Sequence, residues 1–318
     1  MTDGAATPNV IGNGQLPDEE SRRIMMSTEP VLAIADLVKE IGGRQILRGI
    51  TAGAEVGQVI GLLGKNGAGK STLIELILGF AIPTSGYCRV FGEDGARMSA
   101  ACKARLGFVP QQDDLVSLMT GEQHLALTAS FHKHWDQALV ARLAREWEVP
   151  LDRRAGVLSG GERQKIATLM AIGHHPEFLV MDEPASGLDP IARRQFMLTV
   201  LEIAADANRT ILYSSHIVSD IERVASHLWI MREGEIAWQG ELDHLKESVV
   251  RLNLRADHDL PPQLALPGQL SCRIDGRLAT VVVRDWQPSR QGEFEALAGA
   301  SLEVEPLGLE DIFLAVNA

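Results

Sequence analysis

The sequence predicts an α/β protein built on a mostly parallel sheet with helices on both faces, followed by a small α+β unit. Three observations predict it. Continuous apolar runs at 59–63 (VIGLL), 178–182 (FLVMD) and 210–214 (TILYS) have the texture of strands buried on both faces. Segments with helical spacing alternate with these runs, as in strand–helix–strand units. Beyond about residue 247 the texture changes to short strand-like runs around a proline-rich stretch, LPPQLALPGQ.

Residues 1–29 lack periodicity and collect Gly, Pro, Asn and acidic residues, so they are expected to be a disordered lead-in. From Val31, VLAIADLVK alternates as a half-buried strand. VIGLL runs into a glycine-rich turn, and STLIELILGF then repeats apolar residues at helical spacing. Between Gln112 and Val157 the strand signals vanish; EQHLALTASF and DQALVARLAREWE read as helices, so a helical subdomain is expected at about 112–175. Further helices are expected near 160–173, 190–205 and 218–225. HLWIMREGEIAWQG reads as a hairpin turning at Glu233 and Gly234. After a helical stretch near 241–247, VVRLNLR, RLATVVVRD and LEVEPL read as strands and QGEFEALA as a helix. The expected division is a lead-in at 1–29, a main domain at 30–240 and an accessory α+β domain at 241–318.

Composition narrows the function. The 318 residues are 45% hydrophobic and 23% charged, as in a globular protein. Two charge-free runs, Leu76 to Cys88 and Leu260 to Cys272, each reach only 13 residues and contain proline. A membrane-spanning helix needs about 20 apolar residues. The net charge of −12 argues against a general nucleic-acid binder, whose affinity comes mainly from neutralising phosphates. Three cysteines form no metal-type pair, and the N-terminus has no basic segment before an apolar core, so a reducing, cytoplasmic setting is expected. His124, His132, His134, His174 and His175 lack a matching cysteine or carboxylate pattern and are expected to be exposed or capping residues.

Residues 64–71, GKNGAGKS, fit G-x-x-x-x-G-K-[ST] between a predicted strand and a predicted helix, the context that this motif needs. Gly64, Gly67 and Gly69 let backbone N–H groups turn inward as an anion nest, and the helix beginning near Lys70 adds its positive end. Lys65, Asn66, Ala68 and Thr72 complete the cradle. Lys70 can reach the β- and γ-phosphates, and Ser71 can place its hydroxyl on Mg²⁺. The strand FLVMD ends in Asp182, which can hold Mg²⁺ through water; Glu183 follows and can accept a proton from an attacking water.

Three further segments complete a pattern. LSGGERQK at 158–165 opens a helix with a second anion site, GFVPQQDD at 107–114 follows a strand, and YSSH ends another at His216. The order GKNGAGKS, Gln111, LSGGE, FLVMDE, SGLD and His216 resembles the nucleotide-binding subunit of ABC transporters, over residues 31 to about 240. The resemblance implies a P-loop ATPase core with an antiparallel β subdomain and a helical insertion. It implies that ATP and Mg²⁺ bind in a head-to-tail dimer, each ATP lying between one subunit's phosphate turn and the other's Ser159, Gly160, Gly161 and Glu162. It also implies that Gln111 touches Mg²⁺ and the attacking water, that His216 contacts the γ-phosphate and orients Glu183, and that Asp189 organises the opposite site. Where the family usually places an aromatic residue against adenine, this chain has Ile41.

EPASGLDPIARRQF, SSHIVSDIERVA and LEDIFLAV look most like motors of antibiotic and peptide exporters. A separate membrane-spanning permease subunit is therefore the expected partner, with a homodimer or a heterodimer on the cytoplasmic face of the plasma membrane. The rival expectation is a soluble ABC ATPase acting on a macromolecular complex. The single phosphate turn and the short stretch from Lys70 to Ser159, with no room for a long coiled coil, weigh against it.

Overall fold

The computed structural model describes residues 29–316, so the expected lead-in lies, Glu29 apart, outside the described residues. The first elements along the chain are β1 (Leu32–Ile41), β2 (Arg44–Ala54), β3 (Val59–Gly64), α1 (Lys70–Ile77), β4 (Ser85–Val90) and β5 (Glu93–Asp94). Four of these strands form an antiparallel sheet in the order β2-β1-β4-β5. Next come α2 (Ala100–Lys103), β6 (Leu106–Val109), α3 (Gly121–Ser130), α4 (Gln137–Glu146), α5 (Gly160–Ile172), β7 (Phe178–Asp182), α6 (Pro190–Ala204), β8 (Thr210–Ser215), α7 (Val218–Val224), β9 (His227–Arg232), β10 (Glu235–Glu241) and α8 (Leu242–Ser248).

The central sheet has the order β10-β9-β3-β8-β7-β6. All neighbours are parallel except the β9–β10 hairpin. That hairpin turns where expected, at Glu233 and Gly234, both with positive φ (49° and 84°) as a tight two-residue turn requires. Ile60, Leu62, Phe178, Val180 and Leu212 pack toward α1 and the antiparallel sheet. Leu63, Leu179, Met181, Ile211 and Tyr213 pack toward α5, α6 and α7. Both faces are thus covered, which is why the three strands read as unbroken apolar runs. One face is covered by a sheet and a helix rather than by helices alone, a departure from the reading of the strand and helix pattern.

Local chemistry sets the helix starts. Ser159 and Glu162 form a reciprocal capping box at α5, as Thr120 and Gln123 do at α3. Asp189 caps α6 by accepting from the N–H groups of Ile191 and Ala192, with Pro190 in the first turn.

The C-terminal part comprises β11 (Val250–Arg255), β12 (Gln269–Asp275), β13 (Leu278–Val283), α9 (Gln291–Ala298), β14 (Ser301–Pro306) and α10 (Leu309–Val316). Its antiparallel sheet, β12-β13-β11-β14, has its own core around Leu252, Val281, Trp286 and Phe294. In contrast, Leu242 and Leu245 of α8 and Ile312 and Phe313 of α10 belong to the main core, where α10 packs against α7. No helix among the described residues is long and apolar enough to cross a membrane.

Candidate functional site

The parallel strands β3, β8, β7 and β6 lie side by side, and each carries one predicted residue or motif at its carboxyl end. The phosphate turn follows β3, His216 follows β8, Asp182 ends β7 with Glu183 directly after it, and Gln111 follows β6. The carboxyl edge of a parallel sheet is where such folds hold ligands, because helix N-termini and free loops converge there.

In the phosphate turn, Gly67 and Gly69 have φ of 81° and 105°. These values turn successive amides inward and would strain any residue with a side chain. Gly64 differs from the expectation: an added Cβ would stand 2.9 Å from the Met231 carbonyl oxygen, so its role is close packing. No side chain caps the N-terminus of α1, which leaves its first amides for a ligand.

Lys70 is buried, and its Nζ donates to the carbonyl oxygens of Gly64 (2.8 Å) and Lys65 (3.5 Å). It also lies 3.2 Å from Oε1 of the buried Glu183. The other carboxylate oxygen, Oε2, accepts from His216 Nδ1–H at 2.9 Å and from Gln111 Nε2 at 3.5 Å. Three residues singled out in separate segments therefore meet on Glu183. A cleft of about 430 Å³ is lined by Asn66, Gly67, Gly69, Lys70, Ser71, Thr72, Gln111 and Glu183, together with Arg44 and Ile46. It is large enough for a nucleotide's phosphate chain and is polar where charge would be held.

Sequence reasoning missed Ser214, which organises the acidic pair. Ser214 lies opposite Asp182 across β7 and β8. Its hydroxyl donates to Asp182 Oδ1 at 2.6 Å and accepts from the Glu183 N–H at 2.9 Å. A serine in a buried strand, one residue from the strand end, is the signal that it leaves in the sequence. Arg44 and Ile46 were missed as well. Ile41 is 53% exposed at the end of β1 and lines neither this cleft nor the one beside it, so the residue expected against the base is not in the cleft wall.

Ser159, Gly160, Gly161, Glu162 and Asp189 are also absent from the walls of these clefts. The Glu162 carboxylate accepts from the Ser159 N–H at 2.7 Å and from its hydroxyl at 2.8 Å, so within this chain Glu162 holds the helix start. This start is linked to the Gln111 loop, because Arg163 bonds Asp113 at 3.0 Å and Gln164 donates to the Pro110 carbonyl oxygen at 2.8 Å. Two of the discounted histidines are buried rather than exposed. His124 Nε2 accepts from the Val116 N–H at 2.9 Å, and His174 Nε2–H donates to the Leu106 carbonyl oxygen at 2.9 Å.

The arrangement has the parts of a phosphoryl-group site: an anion cradle, a buried lysine, a carboxylate at the strand end, and polar side chains that fix it. Comparisons with known proteins agree. The ABC transporter family model matches residues 47–186. The bacitracin transport ATP-binding protein BcrA of Bacillus licheniformis is 32% identical over 228 residues, 70% of this chain and 72% of that protein. The Nod factor export ATP-binding protein I of Ralstonia nicotianae is 30% identical over 307 residues, 91% of this chain and 94% of that protein. The solved structure of an ABC transporter's ATP-binding subunit, 29% identical, superposes with a TM-score of 0.60 over 68% of this chain and 92% of that one. The chain belongs to the ABC transporter family, as one of its ATP-binding, ATP-hydrolysing subunits.

Proposed function

We propose that this chain is the motor of an exporter, in which two ATP-binding subunits close head to tail around two ATP molecules and drive a separate membrane-spanning subunit pair. The observation that carries the proposal is the convergence of Lys70, Gln111 and His216 on Glu183 at the edge of the central sheet. In this reading the amides of the phosphate turn and Lys70 hold the β- and γ-phosphates. Glu183 accepts a proton from the attacking water, Gln111 places that water, and His216 fixes the carboxylate through Nδ1–H. Lys70, shared between Glu183 and the phosphate, favours both negative groups in a buried setting.

The oxygen donors present suit Mg²⁺, which takes few protein ligands and keeps several waters. Ser71 and Gln111 line the cleft, and Asp182, already accepting from Ser214, would act through water. When bound, Mg²⁺ supplies charge neutralisation across the β- and γ-phosphates.

The second half of each site would come from the partner copy or a related subunit. Ser159 is exposed, and a Cβ on Gly160 would meet no atom of this chain within 4 Å, so the start of α5 is open to a partner's ATP. Asp189 would face the same interface. For the membrane subunit, exposed apolar side chains on the core and on the helical insertion would offer docking points. Phe80 (68% exposed) meets Phe108 edge-on at 5.6 Å, and Leu118 and Phe131 are each 76% exposed. The relatives' names, bacitracin transport and Nod factor export, support the exporter class. Residues 30–240 would form the motor and 241–318 an accessory unit.

Glu183→Gln tests the core of this reading. The variant is expected to bind ATP normally, to accumulate as a closed dimer, and to hydrolyse roughly a hundredfold more slowly or worse. Unchanged turnover would remove Glu183 as the proton acceptor.

A further inference from the structure

A second cleft, of about 450 Å³, opens beside the first. The two share Arg44, Ile46, Asn66 and Gly67, but Gln111 and Glu183 border only the first, whereas Arg48, Arg232 and Glu233 border only the second. Moving away from the carboxylate that marks the γ-phosphate end, the cavity therefore passes the phosphate turn, with Arg44 and Ile46 in its wall, and opens toward Arg48, Arg232 and Glu233. A nucleoside triphosphate with its phosphates in the turn would extend its base away from Glu183, past the shared wall of Arg44 and Ile46. Arg44 opens β2, directly after the Gly42–Gly43 turn and across from Ile41. Its guanidinium has no hydrogen-bond or ion-pair partner among the described residues, unlike Arg48, which faces Glu233 at 4.0 Å. It is an uncommitted planar cation beside Ile46, in a wall with no aromatic ring.

We propose that Arg44 is the base-binding residue of this site, its guanidinium plane lying on the purine face with Ile46 as the apolar floor. This inference rests on the reading of the cleft as an ATP site. A guanidinium suits the role because it is weakly hydrated and stacks on π systems, and a cation over a π face is attracted by its quadrupole. Stacking of this kind reads the face of a base and not its hydrogen-bonding edge. The site therefore accepts purine nucleoside triphosphates with little choice between adenine and guanine.

The test is equilibrium binding of ATP, GTP and inorganic tripolyphosphate to the full chain and its variants. Wild-type chain is expected to bind ATP and GTP within about threefold of each other. Arg44→Ala should weaken both by roughly fivefold to tenfold and leave tripolyphosphate unchanged. Arg44→Lys, which keeps the charge but loses the plane, should behave like the alanine variant, and Arg44→Phe should recover most of the loss. An equal loss for tripolyphosphate, or full rescue by lysine, would make Arg44 a phosphate contact and overturn the proposal. Unchanged nucleotide affinity in Arg44→Ala would overturn it as well. Wild-type chain that binds neither ATP nor tripolyphosphate would instead overturn the ATP-site reading itself. Arg44 lies at an exposed hairpin corner, so these variants keep the fold.

Discussion

Glu183 adopts a left-handed backbone conformation (φ 44°) that residues with side chains rarely take, at a cost of order 1–3 kcal/mol. The conformation persists because Ser214 holds its N–H while Lys70 and His216 hold its carboxylate. Strain of this kind, fixed from three directions, marks a side chain aimed for a purpose. His174 is a buried imidazole outside the two clefts. Its ring stacks on His132 with centroids 3.8 Å apart, Nε2–H bonds Leu106, and Nδ1 is buried with no hydrogen-bond partner. Burial, helped by His132, holds its pKa at about 4, against an ordinary value of 6.5. Folding therefore favours the neutral ring. The associated stability is complete above about pH 6.5, and it is lost as the pH falls toward about 4, because the unfolded chain takes up a proton that the folded chain refuses. At about pH 5 the loss should be on the order of 1–2 kcal/mol. In thermal unfolding, acidification from about pH 7.5 to 5 should lower the Tm of the wild type more than that of His174→Gln, which keeps a donor for Leu106. Equal shifts would show that His174 is not the responsible group.

At the scale of elements, contact between β3 and α7 ties the sheet to the helix that follows His216. Gly61 makes the contact possible, since an added Cβ would stand 2.4 Å from Ile221 Cγ2 and 3.1 Å from Ala225 Cβ. Gly61→Ala is expected to cost about 1–3 kcal/mol in urea unfolding, as overpacking does. Because α7 is displaced with His216 at its head, hydrolysis should fall more than ATP affinity. A variant as stable as wild type would show that the helix has room to move. The elements differ in how plainly the sequence announces them. Strands β3, β7 and β8 are buried throughout, so apolarity alone reveals them. Helices α3, α5 and α6 announce their starts through Thr120, Ser159 and Asp189, because a cap is a contact within a few residues. Strand β2 escapes notice. Its first residues are exposed, its burial alternates only toward the end, and what makes it a strand is pairing with β1.

For the whole molecule, the order of parallel strands places the phosphate turn, His216, Glu183 and Gln111 along one edge, while α5 presents Ser159 elsewhere. If each working site takes its phosphate turn from one copy and Ser159 from another, two inactive variants should complement. Lys70→Ala and Ser159→Arg are each expected to abolish hydrolysis alone, and mixing them should restore activity, since a mixed dimer retains one site with both halves intact. No recovery in mixtures that demonstrably form mixed dimers would place Ser159 outside the site of its partner. The sequence by itself determined the buried strands of the core, the phosphate turn and the acidic strand end, because each depends on neighbours within a few positions of the chain. Only the tertiary structure decided that Gln111 and Glu183, 72 residues apart, share a hydrogen bond, that Ser214 organises the acidic pair, and that Arg44 rather than Ile41 lines the cleft. Those contacts depend on which strands lie side by side and on the faces that their pairing exposes, and the periodicity of a single segment carries no information about either.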